Sequence, residues 1–300
     1  MTAKVILNPY SNRWNAKQRI AEAEQALRSA GISYQLVFSE RAGHIPELAG
    51  QAAREGFSPI IVAGGDGSIG EAINGLAHIT PEGEPLPLVG ILPLGTGNDL
   101  VFSLKLPLGL EAAARIIAAG KVGRMDLGKV NQRYFVNNSG LGLEPYISTI
   151  QERIGWIRGS ARYIVATLGG IMAAPFWNAR MEWDDGSYEG RVSLITICNG
   201  MRSGGAFFMG PHASLFDGKL DIVYGYRKTR LSMLQLMPKT MKAGKGNYTE
   251  SPGVFERQVS WLKVQLDRPT PSHTDGELFT RSIQNLEYRV QPGRAQILVP

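Results

Sequence analysis

Two apolar runs in this chain each lead directly into a glycine-rich turn. The first is "PIIVAGGDGS" (59–68), and the second is "PLVGILPLGTGND" (87–99). A buried strand, a glycine turn and a following helix are the parts of a strand–helix unit in a parallel sheet. Because the carboxyl ends of parallel strands share one edge of the sheet, the two turns are predicted to lie side by side and to bind one ligand.

The first 128 residues alternate between strand and helix patterns, which predicts an α/β domain with a parallel sheet covered on both faces. The predicted strands lie in 4–9, 33–40, 58–67 and 87–99, and the predicted helices in 16–31, 45–56, 69–77 and 109–120.

After about residue 125 the pattern changes to short strand-like runs separated by turn residues, which is typical of an antiparallel sheet or sandwich. Helical patterns occur there only at 150–174 and 229–243. We therefore predict an α/β domain over 1–127 and a β-rich domain over 128–289. Whether the final run, about 290–300, returns to the first domain is left open.

The first glycine turn has the composition of a phosphate-binding loop, but it lacks the lysine of a P-loop. Backbone N–H groups at a helix N-terminus attract phosphate, and glycine allows close approach. An acid in such a turn is costly unless a divalent cation lies between it and the phosphate, so Asp66 is a candidate metal or ribose contact. An ordinary capped turn is the alternative. The candidate residues are Gly64, Gly65, Asp66, Gly67 and Ser68.

The second glycine turn weakens that alternative, because two phosphate-type turns on neighbouring strands suggest one nucleotide held between them. The run "NPYSN" (8–12) ends the first strand in a similar way and adds Asn8. The candidates from the second turn are Gly95, Thr96, Asn98 and Asp99.

The charge balance favours an anionic partner. The formal net charge is +6, and the calculated isoelectric point is about 9.4. No recognition helix, zinc finger or aromatic RNA-binding signature is present, so nucleic acid is not an expected partner. The single cysteine, the lack of a signal-peptide pattern and the lack of an apolar run of about 18 residues favour a soluble, cytoplasmic protein.

The segment 227–246 combines leucine and methionine with six basic residues. As an amphipathic helix it could rest on an anionic membrane, peripherally at the inner face. Packing of its apolar stripe on the sheet is the alternative, and the two can coexist. A homodimer is compatible with the sequence.

Five motifs follow one another along the chain: "NPYSN", "GGDGS", "LPLGTGND", "GPHASLFDGKLDIV" and "TDGE". Taken together, they resemble the catalytic family of diacylglycerol kinases, which includes soluble bacterial lipid kinases, sphingosine kinases and ceramide kinases. The resemblance covers residue 4 to about 290. It implies an N-terminal domain like that of NAD kinase and phosphofructokinase, and it implies ATP and Mg²⁺ as cofactors. Ser68 replaces the family's threonine and keeps the hydroxyl, and Asn12 replaces a glycine.

The resemblance also implies roles for individual residues. The turn Gly64–Gly70 and Thr96 would hold the ATP phosphates, with Ser39 near the nucleotide. Glu277 would be the general base, with Asp275 beside it. A structural magnesium would be held by the three residues Asp217, Ser214 and Lys219, the last two through their carbonyls.

These observations predict an ATP-dependent lipid kinase, with diacylglycerol as the leading acceptor. Sphingoid bases, ceramides and other lipid alcohols remain open as acceptors. Three other classes stay as alternatives: an NAD kinase-like or phosphofructokinase-like enzyme, a nucleotide-binding regulatory protein without turnover, and a membrane-surface binding module.

Overall fold

A computed structural model describes residues 2–11, 15–154, 160–173 and 175–300, and its strands form one continuous sheet. The strands are β1 (Ala3–Leu7), β2 (Tyr34–Phe38), β3 (Ile60–Gly64), β4 (Val89–Pro93), β5 (Val122–Val130), β6 (Arg133–Phe135), β7 (Asn138–Gly142), β8 (Trp177–Trp183), β9 (Gly186–Val192), β10 (Leu194–Cys198), β11 (Leu220–Gly225), β12 (Val254–Val259), β13 (Trp261–Thr274) and β14 (Glu277–Leu298).

The helices lie mostly in the first half of the chain, between the parallel strands. They are α1 (Asn15–Gln18), α2 (Ile20–Ser29), α3 (His44–Arg54), α4 (Asp66–Ile79), α5 (Asp99–Ser103), α6 (Leu110–Ala119), α7 (Leu143–Arg153), α8 (Ser160–Ala173), α9 (Arg230–Leu234) and α10 (Met237–Thr240), with a 3₁₀ turn at Tyr248–Glu250.

The N-terminal part is an α/β layer in which parallel strands run in the order β2-β1-β3-β4. Side chains of β3 alternate between two cores. Ile60 and Val62 pack with α3 and α4, whereas Ile61 and Ala63 pack with α2 and α6. A strand apolar on both faces needs helices on both sides of the sheet. The predicted α/β class is therefore confirmed.

The C-terminal part is an antiparallel sheet in the order β12-β11-β10-β7-β13-β14, with the hairpin β8–β9 added through β13. Its core contains large aromatic side chains that are fully or almost fully buried, as β-rich domains of this size require. The predicted β-rich class is confirmed. Among these aromatic residues are Phe135, Trp177, Trp183 and Tyr288.

Strand β14 joins the two parts. It begins beside β13 in the C-terminal sheet, pairs with β5 along much of its length, and ends with Ile297 opposite Val89 of β4. Pairing with β5 is interrupted between Gln291 and Ala295. The last residues of the chain thus belong to the N-terminal sheet.

Two helix predictions were wrong, because each predicted helix is broken into two shorter ones. The pattern at 16–31 forms α1 and α2, which are separated at Arg19. The pattern at 229–243 forms two short helices, α9 and α10, because Pro238 supplies no N–H donor and occupies the first turn of the second helix. The pattern at 150–174 falls on α7 and α8, and residues 155–159 and 174 lie outside the described residues.

The exposure of 227–246 also differs from the predicted apolar stripe. Leu231 and Met241 point to solvent, whereas Met233 is buried. In the parts of the chain that the structure describes, each helix is too short or too polar to cross a bilayer.

Candidate active site

The first glycine turn joins the end of β3 to the start of α4, which begins at Asp66. Ser68, in the first turn of this helix, is buried and is held from the neighbouring strand β1. Asn8 Nδ2 donates to Ser68 Oγ at 2.9 Å, and Ser11 Oγ lies 3.3 Å from the same atom. The "NPYSN" run therefore positions the hydroxyl of the first glycine turn. Asn12 lies outside the described residues.

The two glycine turns touch through their backbones. A β-carbon placed on Gly95 would lie 2.4 Å from Gly65 Cα, and one placed on Gly65 would lie 2.9 Å from Gly95 Cα. No side chain fits at such distances, which explains why glycine occupies both positions. The predicted neighbourhood of the two turns is realised as direct contact.

The second glycine turn is held by the C-terminal domain. Asn98 has a left-handed backbone with φ +51° and occupies the N-cap position of the short helix α5, and its Nδ2 donates to the carbonyl of Gly95 at 3.0 Å. Asp99 is buried, and it accepts hydrogen bonds from Arg202 Nε at 2.8 Å and from the backbone N–H of Gly205 at 2.9 Å. Arg202 also donates to the carbonyl of Gly97 at 2.9 Å. The loop after β10 thus clamps this turn.

The negative charge of the Asp99 carboxylate is partly offset by the hydrogen bonds that it accepts. Burial and the nearby charge of Asp66 raise the pKa of Asp99, while Arg202 and the N–H of Gly205 lower it. Loss of the guanidinium would therefore leave a buried carboxylate beside another acid.

Asp66 connects the two turns. Its Oδ1 accepts the backbone N–H of Leu100, in the first turn of α5, at 2.9 Å. The same oxygen lies 3.4 Å from Asn137 Nδ2, in the connection between β6 and β7. Asp66 of the first glycine turn is thereby held by α5, the helix that follows the second glycine turn.

The "TDGE" run forms the tip of the hairpin β13–β14. Thr274 pairs with Glu277, so Asp275 and Gly276 are the two loop residues. Both have positive φ, +50° and +84°, which is the geometry of a type I′ turn. The turn is therefore tight, and it fixes where Glu277 leaves the backbone.

Asp275 anchors this tip to the rest of the molecule. Its carboxylate accepts three backbone N–H groups, from Val136, Asn137 and Asn138, at 2.7 to 3.1 Å. Burial raises the pKa of Asp275 to about 6, although the three N–H donors act in the opposite direction.

Glu277 faces the first glycine turn. Its side chain is half exposed, and a β-carbon on Gly67 would lie 2.7 Å from its Oε1. Arg133 Nη2 is 3.8 Å from Glu277 Oε2, and Arg133 Nε donates to Thr274 Oγ1 at 2.6 Å. Glu71 lies close by: burial and the charge of Glu277 raise its pKa, while Arg133 lowers it.

These groups surround one cleft of about 250 Å³. It is lined by both glycine turns, by the end of β1, by Glu71 of α4 and by Glu277. The predicted site residues that line it are Asn8, Gly65, Asp66, Gly67, Ser68, Gly95, Thr96 and Glu277.

Other predicted residues lie behind that lining. Gly64 is buried at the end of β3, and Asn98 and Asp99 are buried beneath the second turn. Asp275 is directed toward the backbone of 136–138. Ser39 is buried at the end of β2, where its N–H donates to Leu7 O, and it does not line the cleft.

Several residues at the site were missed by sequence reasoning. Ser11 belongs to a quoted motif but was not selected. Glu71 follows Asp66 by five residues on the same helix, which is a weak signal. Arg133 and Arg202 are far from the motifs in sequence, and no pattern marks them.

The predicted structural metal residues lie in the loop before β11, away from the cleft. Asp217 is exposed; its Oδ1 accepts the N–H of Lys219 at 3.0 Å, and Gln258 Nε2 lies 3.3 Å from its Oδ2. Burial is the main cause that raises the pKa of Asp221 to about 7, and Glu256 and Asp217 add to it. An acid whose pKa is raised by neighbouring acids is in a setting that favours a bound cation.

The side chains around the cleft offer oxygen atoms of carboxylates and of three hydroxyls, those of Ser11, Ser68 and Thr96, which suit Mg²⁺. Among the described residues, no three His, Cys, Asp or Glu side chains are placed to share one metal ion. The carboxylates of the cleft could hold a magnesium ion, which is commonly bound through only one or two protein carboxylates.

Comparison with known proteins places both parts of the chain. A family model for the diacylglycerol kinase catalytic domain matches residues 2–130. A model for the YegS C-terminal NAD kinase beta sandwich-like domain matches residues 138–299, which is more than half of the chain.

Individual relatives agree with these matches. A diacylglycerol kinase of Bacillus subtilis is 27% identical over 92% of this chain and 89% of its own. The probable lipid kinase YegS of Escherichia coli is 28% identical over 94% of this chain and 91% of its own. A solved structure of a diacylglycerol kinase from Bacillus anthracis has a TM-score of 0.79 at 22% identity; it covers 100% of this chain and 97% of its own. That likeness supports the fold.

Proposed function

Because the chain belongs to the diacylglycerol kinase catalytic family and is a lipid kinase, we propose that it transfers the γ-phosphoryl group of ATP to the hydroxyl of diacylglycerol. The observation that carries the proposal is the position of Glu277, an exposed carboxylate facing the contact between two glycine turns. Phosphoryl transfer requires a held nucleotide, neutralised phosphate charge and a group that takes the proton of the acceptor.

The two glycine turns are the proposed ATP phosphate site. The first backbone N–H groups of α4 have no partners within the helix and point toward the cleft end, where a phosphate can accept them. The hydroxyl of Ser68 is oriented by Asn8, and Thr96 lines the opposite side. Glycine at 65, 67 and 95 allows phosphate oxygens to approach the backbone.

Glu277 is the proposed general base. It stands at the first residue of β14, immediately after a tight turn that Asp275 ties to the backbone of 136–138. The acceptor hydroxyl gives its proton to Glu277 while its oxygen forms a bond to the γ-phosphorus and the bond to the β-phosphate oxygen breaks. Arg133 places a positive charge 3.8 Å from this carboxylate.

Asp66 and Glu71, which both line the cleft, are proposed as the residues that would hold Mg²⁺. When bound there, the ion offsets phosphate charge that would otherwise face these acids. We also propose that Asp217, with the carbonyls of Ser214 and Lys219, holds a structural Mg²⁺. In support, the charge of Asp217 contributes to the raised pKa values of Asp221 on β11 and Asp126 on β5.

The test is a transfer assay with γ-labelled ATP, Mg²⁺ and a panel of dispersed diacylglycerol, sphingoid base, ceramide and NAD. We expect label in phosphatidic acid. Glu277→Ala should lower kcat by about 10²- to 10⁴-fold, because an acid–base group contributes that much. The matched control is Glu287→Ala, which removes another exposed carboxylate from the same strand.

Each outcome of the panel has a meaning. Label in a sphingoid or ceramide product replaces diacylglycerol as the acceptor, but keeps the lipid kinase mechanism. Label in NADP, or full activity in Glu277→Ala, contradicts the proposed reaction.

We further propose that the protein binds an anionic membrane surface transiently. Arg230 Nε donates to the carbonyl of Met172, so α9 lies against α8. Leu231 and Met172 are 66% and 57% exposed, and the segment from Arg227 to Lys245 carries no acid. Exposed apolar side chains beside basic ones suit an anionic lipid interface.

Sedimentation with vesicles tests this surface. Binding should require phosphatidylglycerol in phosphatidylcholine vesicles and should weaken with salt, and Leu231→Ser should reduce it. Leu108→Ser is the matched control, since Leu108 is also exposed (62%) but lies in the N-terminal domain. Equal binding to neutral vesicles, or equal loss in both variants, contradicts the proposal.

A further inference from the structure

A buried histidine lies directly behind the turn that carries Glu277. His273 is on β13, two residues before Asp275, and is 1% exposed. Its Nδ1 accepts the backbone N–H of Gly276 at 3.3 Å. Because a backbone N–H can only donate, Nδ1 carries no proton in this arrangement. The proton of a neutral ring is then on Nε2.

The other side of the ring faces Glu144, in the first turn of α7. His273 Nε2 and Glu144 Oε1 are 3.2 Å apart, although the pair lacks the alignment of a full hydrogen bond. Burial alone would raise the pKa of Glu144, but His273, Ser203 and Thr196 outweigh it, and the pKa is lowered. A carboxylate therefore faces the protonated side of the imidazole.

Glu144 also touches the loop that clamps the second glycine turn. Ser203 Oγ donates to Glu144 Oε1 at 3.3 Å, and its chain neighbour Arg202 holds Asp99. The space for the imidazole is provided by Gly140 of β7, where a β-carbon would lie 2.4 Å from His273 Nε2. His273 and Glu144 thus lie between Glu277, the proposed base, and the loop after β10 that contacts the second glycine turn.

We propose that His273 is a positioning residue for the phosphoryl transfer: it holds the amide of Gly276, and with it the turn that presents Glu277, while Glu144 fixes the orientation of the ring. The inference rests on the proposed role of Glu277. A histidine that served packing alone would not need a contact with the turn amide. In hydrogen-bonded base–orienter pairs, the second group acts by holding geometry.

Three substitutions of His273 separate these roles. Asparagine places an amide oxygen near the position of Nδ1 and can still accept the Gly276 N–H. Glutamine places its polar group near Nε2, toward Glu144. We expect His273→Ala to lower kcat about 100-fold, as misplacement of a catalytic group does, with the KM for ATP changed less than about threefold. His273→Asn should recover about tenfold of that loss, and His273→Gln should not.

A double-mutant cycle tests the part of Glu144. Glu144→Ala should lower kcat about tenfold, and the double variant Glu144→Ala/His273→Ala should be no slower than His273→Ala alone, because groups that act through one contact are not additive. Lys263→Ala, an exposed position on the same strand, is the control. The thermal midpoint of every variant is measured alongside.

The outcomes are distinguishable from failure of the proposed function. If the wild type phosphorylates no lipid, the proposed function fails. If the wild type is active but the Ala, Asn and Gln variants have equal kcat, or if effects of Glu144 and His273 add fully, the positioning role is overturned. If His273→Ala does not fold, the comparison of Asn with Gln decides. If neither of these folds, His273 is structural and the inference is wrong.

Discussion

The two glycine turns look alike in sequence but are held in different ways. The first is oriented within the N-terminal domain, where Asn8 and Ser11 contact Ser68. The second is clamped from the other domain by Arg202 and Gly205 through Asp99. One half of the proposed phosphate site is thus a property of a single domain, and the other half depends on how the domains meet.

This difference has a consequence for how the enzyme can be disrupted. Changes near the first turn should act locally, on phosphate contacts. Changes near the second turn should also act on the contact between domains. The residue that belongs to both is Asp66, since it sits in the first turn and accepts the N–H of Leu100 after the second.

Among changes at the two glycine turns, the largest effect is expected for Asp66→Asn. The amide oxygen can still accept the Leu100 N–H, so the tie between the turns remains while the charge is lost. We expect kcat to fall by about 10²- to 10³-fold, as for loss of a group that stabilises transferring charge. Steady-state kinetics over a range of Mg²⁺ concentrations measure it. Near-normal turnover would remove Asp66 from the mechanism.

The next largest effect is expected for Gly95→Ala. The new β-carbon would lie 2.4 Å from Gly65 Cα, so the turns must separate. We expect kcat/KM for ATP to fall about 100-fold, because a shift of about 1 Å in positioning groups costs that much. The control is Gly109→Ala, where a β-carbon has no neighbour within 4 Å. Equal kinetics for both variants would contradict the contact.

Arg202→Ala tests the clamp on the second turn. It leaves the buried Asp99 without its cation, which should lower the free energy of unfolding by about 3 kcal/mol at pH 7.5. The pKa of Asp99 is already raised by burial and by Asp66, and loss of Arg202 raises it further. The folded variant therefore binds a proton more readily than the unfolded chain.

Because the folded variant binds a proton more readily than the unfolded chain, its stability should depend on pH. The unfolding free energy of Arg202→Ala should recover toward that of the wild type as the pH falls from 7.5 to 5, because a protonated Asp99 needs no cation. Denaturant unfolding at both pH values measures the difference. A deficit that is constant, or that grows on acidification, would rule out an ionised Asp99 as the cause.

The smallest effect is expected for Ser68→Ala. The first turn keeps its backbone donors and loses one hydroxyl, whose hydrogen bond is worth about 1 kcal/mol. We expect about a fivefold rise in the KM for ATP, with the fold unchanged. Ser68→Thr restores a hydroxyl and should return most of the affinity. An unchanged KM for ATP in Ser68→Ala would show that the hydroxyl does not contact the nucleotide.

The parts of the fold that follow from local pattern could be predicted. The run "IIVAGG" reads as a buried strand that leads into a turn, and the alternation of such runs with helices identifies a parallel sheet. Adjacent placement of Gly65 and Gly95 follows, since both lie at carboxyl ends of strands. The "DG" pair at 275–276 indicates a tight hairpin turn.

The parts that depend on distant contacts could not be predicted. Arg202 and Asp99 are 103 residues apart, and a lone arginine in a loop carries no motif. The anchoring of Asp275 on the N–H groups of 136–138 depends on how β7 lies beside β13, which no local periodicity shows. The segment 229–243 breaks into two helices because of Pro238. The spacing of its apolar residues favours one continuous helix, so the break was not predicted.

Strand β14 is shared by the two parts of the sheet and therefore links the two domains. Glu277 is at one end of this strand and Ile297, paired with β4 of the N-terminal domain, is near the other. Two domains joined by a flexible linker could rotate independently, but a strand shared by both sheets links their movements. Pairing with β5 is interrupted between Gln291 and Ala295, so we expect a change in the angle between the domains to bend β14 there. The position of Glu277 and the orientation of the N-terminal domain are in this way linked through one strand.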